Sequence, residues 1–178
     1  NMGTEYPSHI GYVMLFESQH STVAGMIEAG SITEIRTGAV SAAATDLLAR
    51  KDAHHLALIG AGAQARSHLA AIREIREITA VTVYDLFPQA AERFRKEMEA
   101  KYGVPVTVCG TVAEAVKDAD IICTVSPSKE PSLFASMVKP GTHINAVGTF
   151  TPTTREVSSD LVAVSRLYSD QTEATKRE

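Results

Sequence analysis

The sequence has no tryptophan, only two cysteines among 178 residues, and no long uncharged apolar run. Cys109 and Cys123 are too few for a disulfide framework and lack the CxxC spacing of a metal or redox site, so we expect buried, reduced thiols. No apolar run approaches the roughly 18 residues that a membrane span needs, and no segment has the pattern of a signal peptide. We therefore expect a soluble, cytoplasmic protein without a membrane partner.

The sequence also lacks a large excess of either positive or negative charge. A net charge of −4, without a basic stripe or interleaved aromatic residues, argues against nucleic acid as a partner. Hydrophobic residues make up 44% and charged residues 21%, a balance typical of a globular chain and too apolar for a disordered one. The length suits one domain with a sizeable core and a small appendage.

Several catalytic motifs are missing. The sequence contains no GxSxG, GxxxxGKS/T or HExxH pattern. His54 and His55 stand side by side before a predicted strand, where neighbouring side chains point to opposite faces of a sheet. We do not expect them to share a metal ion, and we predict no metal site.

The first third of the chain changes from strand-like to helix-like sequence. Two extended segments, 11–16 and 23–27, flank a polar turn and predict a β-hairpin. From Thr33, a fair N-cap, an alanine-rich stretch runs to Arg50 and predicts a long helix with a small-residue face suited to close packing. The residues at helical spacing are Ile35, Ala39, Ala42 or Ala43, and Leu47.

Beyond Asp52, strands and helices alternate. This order predicts an α/β fold, a doubly wound parallel sheet of the Rossmann type, with the N-terminal β-hairpin as the remnant of a second domain. Apolar runs predict strands at 56–59, 81–84, 106–108, 121–125 and 143–147, and a last strand region at 161–164 and 167–169. Helices are predicted at 64–78, from Pro88 to near Gly103, and at 111–116.

A glycine-containing loop between the first of these strands and its helix predicts a dinucleotide site. Gly60 allows a tight turn, Gly62 lets the backbone approach a pyrophosphate, and the small Ala65 lets the helix pack on the strand. The pyrophosphate would lie on free N–H groups at the positive end of the helix dipole. A glycine-rich turn without a ligand is the alternative.

Asp85 ends the second strand of the predicted sheet, 25 residues after Gly60. A carboxylate at this position accepts hydrogen bonds from both hydroxyls of an adenosine ribose and repels a 2′-phosphate, which favours NAD over NADP. Two alternatives stay open, an aspartate that only caps the next helix and a nearby arginine that binds the 2′-phosphate.

Two further polar residues follow strands at the edge where open α/β sheets bind ligands. Thr124 and Ser126 leave the fourth strand of the predicted sheet and are candidates for the nicotinamide-ribose side. Because Ser126 precedes a proline, it also suits the start of a turn without any contact to a ligand.

Three segments together resemble the ornithine cyclodeaminase/μ-crystallin family: 36–42 (RTGAVSA), 60–65 (GAGAQA) and 144–148 (INAVG). This family includes ornithine cyclodeaminases, an archaeal type of alanine dehydrogenase, and ketimine or pyrroline-2-carboxylate reductases. The resemblance implies that Arg36 grips the substrate carboxylate, although an exposed helix arginine is the interpretation from the residue alone. It further implies cofactor contacts by Thr37, Ala63, Gln64, Asp85, Thr124 and Val147.

The resemblance also implies which part of a family member this chain represents. The family's catalytic lysine lies in a segment that residues 1–7 continue, so we expect it upstream and assign no catalytic residue within the chain. We expect an internal fragment of about two domains. Its predicted parts are strands of a substrate and dimerisation domain (1–32), a dinucleotide-binding domain (33–170) and the start of a returning helix (171–178).

One departure from the family bears on the reaction. Cyclodeaminases carry an aspartate shortly after the Val-Gly pair, where this chain has Phe150, which cannot exchange protons. We therefore expect an NAD(P)-dependent oxidoreductase acting at the C–N centre of a small amino acid or cyclic imino acid, and a homodimer at full length. The alternatives are ornithine cyclodeaminase, a lyase, and a non-catalytic protein that binds a small ligand on the same fold.

Overall fold

The computed structural model describes residues 10–149 and 151–176. These residues form a five-stranded parallel sheet with flanking helices and a separate two-stranded antiparallel sheet, which confirms the predicted fold class. The expectations placed on residues 1–7 and on Phe150 lie outside the described residues. The strands are β1 (Tyr12–Phe16), β2 (Val23–Glu28), β3 (His55–Ile59), β4 (Ala80–Tyr84), β5 (Val106–Val108), β6 (Ile121–Thr124) and β7 (His143–Ala146). The helices are α1 (Ala29–Leu48), α2 (Ala63–Arg73), α3 (Pro88–Tyr102), α4 (Val112–Val116), α5 (Ser159–Val164) and α6 (Thr172–Thr175), with a 3₁₀ turn at Ala135–Met137.

The strand order of the parallel sheet determines where a ligand can bind. The order is β5-β4-β3-β6-β7, so the chain builds outward from β3 in one direction and then returns to build in the other. In such sheets, ligands bind beyond the carboxyl ends of the strands at the point where the order reverses. Here that point lies between β3 and β6, both of which are almost completely buried.

The two helices that follow β3 and β4 pack as their sequences predict. Pro88 is the first residue of α3, and Gly103 ends that helix in the left-handed conformation with φ 65°. The apolar residues of each helix are buried together because residues three or four apart share one face of a helix. Buried on α2 and α3 are Ala65, Leu69 and Ile72, and Ala91, Phe94 and Met98.

Helix α1 begins earlier than its sequence suggests. Thr33 lies inside the helix, so the prediction that it is the N-cap is wrong. Glu28 caps α1 instead, because its carboxylate accepts hydrogen bonds from the backbone N–H groups of Gly30 and Ser31 at 2.6 and 2.7 Å. The long side chain of glutamate folds back over the first turn and substitutes for the usual short capping residue.

The packing face of α1 also differs from the prediction. The close packing is confirmed, since a Cβ on Gly38 would lie 2.8 Å from the carbonyl oxygen of Ser67 on α2. Ile35, Ala39 and Leu47, however, are exposed. The buried residues of α1 are Gly38, Ser41, Ala42 and Thr45. Three of them are glycine, serine or threonine, which a search for apolar residues at helical spacing does not include.

The end of the chain was predicted as a strand region and is not one. Leu161 is buried within helix α5, and residues 167–169 are exposed and belong to no strand. A four-residue apolar run does not distinguish a strand from one turn of a helix. Helix α2 also ends at Arg73 instead of continuing to Ile78.

Candidate functional site

The loop after β3 is fixed by Gly60. This residue has φ +105°, a conformation that L side chains rarely adopt, and its N–H donates to the carbonyl oxygen of Tyr84 at 2.8 Å. A Cβ here would lie 2.9 Å from the carbonyl oxygen of Val125. Both the backbone angle and the close approach of the β6 end require glycine at this position.

Gly62 is different, because nothing in the described structure requires it to be glycine. It is the N-cap of α2, with φ −80° and ψ −162°, and no described atom lies within 4 Å of the place where a Cβ would stand. No described side chain caps the first N–H groups of α2. An exposed glycine before uncapped N–H groups fits an anion that approaches the backbone closely.

Arg66 stabilises the loop at residues 60–62, which we call the glycine loop, and it was not among the residues predicted from the sequence. Its guanidinium donates to the carbonyl oxygens of Ala61 and Gly62 at 2.7 and 3.0 Å and forms an ion pair with Glu97 at 2.6 Å. The side chain also lies over the Phe94 ring. The spacing could have predicted this contact, because Arg66 stands four residues after Gly62, one helical turn along α2.

Asp85 connects the end of β4 to the same loop. Its two carboxylate oxygens accept hydrogen bonds from the N–H groups of Ala61, at 2.8 Å, and Phe87, at 2.9 Å. The side chain is half-buried, and each carboxylate oxygen has two lone pairs. Asp85 therefore keeps the capacity to accept from two hydroxyl groups of a ligand.

The carboxyl ends of β6 and β7 meet at Thr124. This threonine is fully buried, and its hydroxyl lies close enough to the Glu156 carboxyl to help lower the pKa of that group. Val147 lies beside it and donates its N–H to the Thr124 carbonyl oxygen at 3.0 Å. Thr124 and Val147 therefore lie side by side at the carboxyl end of β6, the strand next to β3.

Glu156 joins the two loops that follow β6 and β7. One of its oxygens accepts from the N–H and the hydroxyl of Ser126 at 2.7 and 2.6 Å, and the other accepts from the N–H of Gly148 at 2.7 Å. Burial raises the pKa of the Glu156 carboxyl, while the hydrogen bonds from Ser126, Thr124 and Gly148 oppose that rise. Sequence reasoning missed Glu156 because its partners lie 30 and 8 residues away and leave no local pattern.

Helix α1 carries Arg36 and Thr37, and the turn before them contacts the start of α2. The Thr37 hydroxyl donates to the carbonyl oxygen of Thr33 at 2.7 Å, and the Gln64 amide at the start of α2 donates to the same oxygen at 3.4 Å. This turn of α1 therefore lies against the first turn of α2. Arg36 is exposed.

A buried chain of hydrogen bonds holds α1 in place. The Asn145 amide of β7 donates to the Thr45 hydroxyl at 2.9 Å, and Thr45 in turn donates to the Ser41 carbonyl oxygen at 2.7 Å. The Ser41 hydroxyl lies 2.9 Å from Nε2 of His68, whose Nδ1 lies 2.7 Å from the Gln64 carbonyl oxygen. Burial lowers the pKa of His68, so a neutral ring donates to Gln64 and accepts from Ser41.

Three expectations from composition concern the described residues as a whole. Cys123 is buried, and burial raises its pKa to about 12, whereas Cys109 is only half-buried; both thiols are free. In residues 10–149 and 151–176, no group of three or more His, Cys, Asp or Glu side chains is placed to hold a metal ion. The same ranges contain no helix with the length and apolar character for crossing a membrane.

A comparison with protein families decides the relationship that the three motifs suggested. A family model described as the ornithine cyclodeaminase/mu-crystallin family matches residues 1–178. The chain belongs to this family. Ketimine reductase mu-crystallin of Mus musculus is 39% identical over 175 residues, which are 98% of this chain and 55% of that protein.

Two solved structures of the family share the fold described above. Δ1-pyrroline-2-carboxylate reductase of Thermococcus litoralis, in complex with NADH and L-proline, is 36% identical with a TM-score of 0.85, over 88% of this chain and 49% of that one. An archaeal alanine dehydrogenase dimer with bound NAD is 30% identical with a TM-score of 0.90, over 97% and 53%. The chain thus spans about half the length of the curated relatives it matches.

Proposed function

We propose that the full-length protein is an NAD-dependent oxidoreductase that transfers a hydride at the C–N centre of a small amino acid or cyclic imino acid. The observation that carries the proposal is the first turn of α2, where uncapped N–H groups follow an exposed glycine that the fold does not require. The similarity to a ketimine reductase and to a pyrroline-2-carboxylate reductase supports this reaction class.

The cofactor contacts follow from the order of the loops along the edge of the sheet. The N–H groups after Gly62 would bind the pyrophosphate, and Asp85 would accept from the adenosine ribose while repelling a 2′-phosphate, so NAD is favoured over NADP. Thr124 ends β6 at the same edge of the sheet and would lie beside the nicotinamide half. The full proposed set is Thr37, Gly60, Gly62, Ala63, Gln64, Asp85, Thr124, Ser126 and Val147.

Arg36 is the proposed substrate-binding residue. A guanidinium forms two parallel hydrogen bonds with a carboxylate and so fixes its direction, which suits the α-carboxylate of an amino or imino acid. When bound, the nicotinamide supplies or takes up the hydride. The role of Arg36 is to hold the reacting carbon in place, and orientation of this kind supplies much of the rate in such reactions. We propose no catalytic residue within the chain.

We also propose that the full-length protein is a cytoplasmic homodimer. The antiparallel pair β1–β2 exposes apolar side chains on both faces, which is unusual for a free surface and typical of an interface. A family member is described as a dimer. Sedimentation of the full-length protein measures its mass, and a monomer would contradict the proposal. The exposed side chains are Tyr12, Val13, Met14, Leu15, Phe16, Val23, Met26 and Ile27.

Product analysis of the full-length protein tests the reaction. A reductase consumes NADH in proportion to the imino acid reduced, and we expect this result with a cyclic imino acid. An ornithine cyclodeaminase instead releases ammonia and forms proline without net change in NADH. If ornithine is converted to proline and ammonia, the proposed reaction is wrong and the protein is a cyclodeaminase. If the protein binds its ligands without turnover, the proposed reaction is wrong and the protein has a binding function.

The Asp85→Asn substitution tests the choice of nucleotide. We expect affinity for NAD to fall about tenfold, because the amide offers one acceptor oxygen in place of two and its NH₂ group faces a backbone N–H. Affinity for NADP should fall less or rise, because the repulsion of the 2′-phosphate is removed. Calorimetric titration of the full-length protein with each nucleotide measures both constants.

Asp118→Asn is a matched control for this experiment. Asp118 is exposed and precedes Asp120, whose N–H bonds to the start of β3, so it lies at the opposite edge of the sheet. We expect its affinities to equal those of the unmodified protein. Unchanged NAD affinity in Asp85→Asn would leave Asp85 with only the structural bonds to Ala61 and Phe87.

A further inference from the structure

Three hydrogen-bond donors converge on the carboxylate of Glu156. The N–H groups of Ser126 and Gly148 each bond to a different oxygen, and the Ser126 hydroxyl supplies the third bond. Backbone N–H groups only donate, so these bonds favour the ionised form of the carboxyl group and oppose the rise in its pKa that burial causes. The arrangement therefore suits an ionised carboxylate.

No described cation neutralises this charge. Glu156 is fully buried, and within residues 10–149 and 151–176 its carboxylate takes part in none of the ion pairs. A buried charge without a counter-ion is costly, because hydrogen bonds alone replace only part of its hydration. Such a charge is retained most readily where a cationic ligand interacts with it.

The carboxylate lies at the edge of the sheet where the cofactor is proposed to bind. Ser126 follows β6 by two residues, and Gly148 follows β7 by two residues. A Cβ on Gly60 would lie only 3.3 Å from the Ser126 nitrogen, so the glycine loop contacts the segment that Glu156 binds. A Cβ on Gly148 would lie 2.5 Å from a Glu156 oxygen, which shows how closely the second loop approaches.

We propose that Glu156 is a positioning residue that fixes the β6 and β7 loops around the nicotinamide half of the site, and that its negative charge favours oxidised over reduced nicotinamide. The inference rests on the NAD-dependent function proposed above. NAD⁺ and NADH differ in the charge of one ring, so a nearby negative charge stabilises the oxidised form selectively. Favouring bound NAD⁺ assists hydride donation from NADH to the carbon of an imine, whose nitrogen takes up a proton.

The test compares the binding of NAD⁺ and NADH to the full-length protein by titration calorimetry. In Glu156→Gln we expect the ratio of the NAD⁺ to the NADH dissociation constant to rise about tenfold, because losing the negative charge weakens the binding of the cationic ring selectively. In Glu156→Asp, which keeps the charge on a shorter side chain, both affinities should fall while their ratio stays within about twofold. Glu130→Gln, an exposed glutamate on the β6 loop, should change neither.

Each outcome separates this inference from the proposed function. If the unmodified protein binds both nucleotides and Glu156→Gln leaves the ratio unchanged, the electrostatic role is refuted and the NAD-dependent function survives. If the unmodified protein binds neither, both fail. Should Glu156→Gln not fold, the ¹³C resonance of the Glu156 carboxyl in the unmodified protein decides: we expect an ionised group at neutral pH, and a protonated one overturns the inference.

Discussion

Replacing Gly62 with alanine is expected to weaken NAD binding about 100-fold while the protein stays folded. Hydrogen bonds to a charged group contribute about 1.5–3 kcal/mol each, and 1.4 kcal/mol corresponds to a tenfold change in affinity. A methyl group at this position would stand in the open space before α2 and keep a pyrophosphate away from the N–H groups. Losing one or two of those bonds accounts for the expected effect.

The fold should tolerate the Gly62→Ala change. Its backbone angles are ordinary for any residue, and no described atom lies within 4 Å of the new Cβ, so we expect a loss of stability below about 1 kcal/mol, mainly from the poorer N-cap. Gly60→Ala should behave differently, because its positive φ and the nearby Val125 carbonyl make the change strained. That variant should lose stability and NAD affinity together.

Gly25→Ala is the matched control for the Gly62 experiment, since no described atom lies near its Cβ either and it stands on β2, outside the parallel sheet. Because β2 belongs to the proposed dimer interface, the control is used once sedimentation shows that its mass equals that of the unmodified protein. Calorimetric titration with NAD and thermal unfolding of the full-length protein measure the two effects. If Gly62→Ala binds NAD as tightly as Gly25→Ala does, the loop does not cradle a pyrophosphate, and the proposed cofactor site is wrong.

Replacing Arg76 with alanine is expected to lower the free energy of unfolding by about 3 kcal/mol. The Arg76 side chain is almost completely buried and caps the end of α1, where it donates to the Asp46 carboxylate at 2.7 Å. It also donates to the backbone carbonyl oxygens of Thr45, Asp46, Ala49 and Arg50. Removing the guanidinium leaves several of these acceptors buried without a partner, at about 1–3 kcal/mol each before relaxation.

The Asp46 carboxylate reduces this cost, because it is about half exposed and regains water when Arg76 is lost. Arg93→Ala is the matched control: Arg93 is exposed on α3, and the change should cost less than about 0.5 kcal/mol. Urea unfolding of both variants measures the difference. A loss below about 1 kcal/mol in Arg76→Ala would show that water replaces the arginine at the end of α1.

Local pattern predicted the elements whose stability comes from apolar periodicity. The stripes on α2 and α3 and the continuous apolar run of β3 were readable because each repeats at the spacing of its own secondary structure. The same rule failed at Leu161, where the run was too short, and at α1, where the buried face is built from glycine, serine and threonine.

The residues of the candidate site also fall into two groups, those that the sequence predicts and those that only the structure brings together. The glycine loop and Asp85 could be proposed from the sequence because a dinucleotide site places glycines and an acidic residue at a typical spacing along the chain. Glu156 and the hydrogen bonds from Asn145 to His68 were not found, because each connects residues that are far apart along the chain.

The sequence by itself determined that the chain forms a parallel sheet with a glycine-containing loop after its first strand, since strand, glycine turn and helix follow one another within one short segment. Only the tertiary structure decided which face of α1 packs, which glycine the backbone requires, and which carboxylate lies between the β6 and β7 loops. These depend on contacts between elements that are separate in sequence, and such contacts leave no period or spacing to detect.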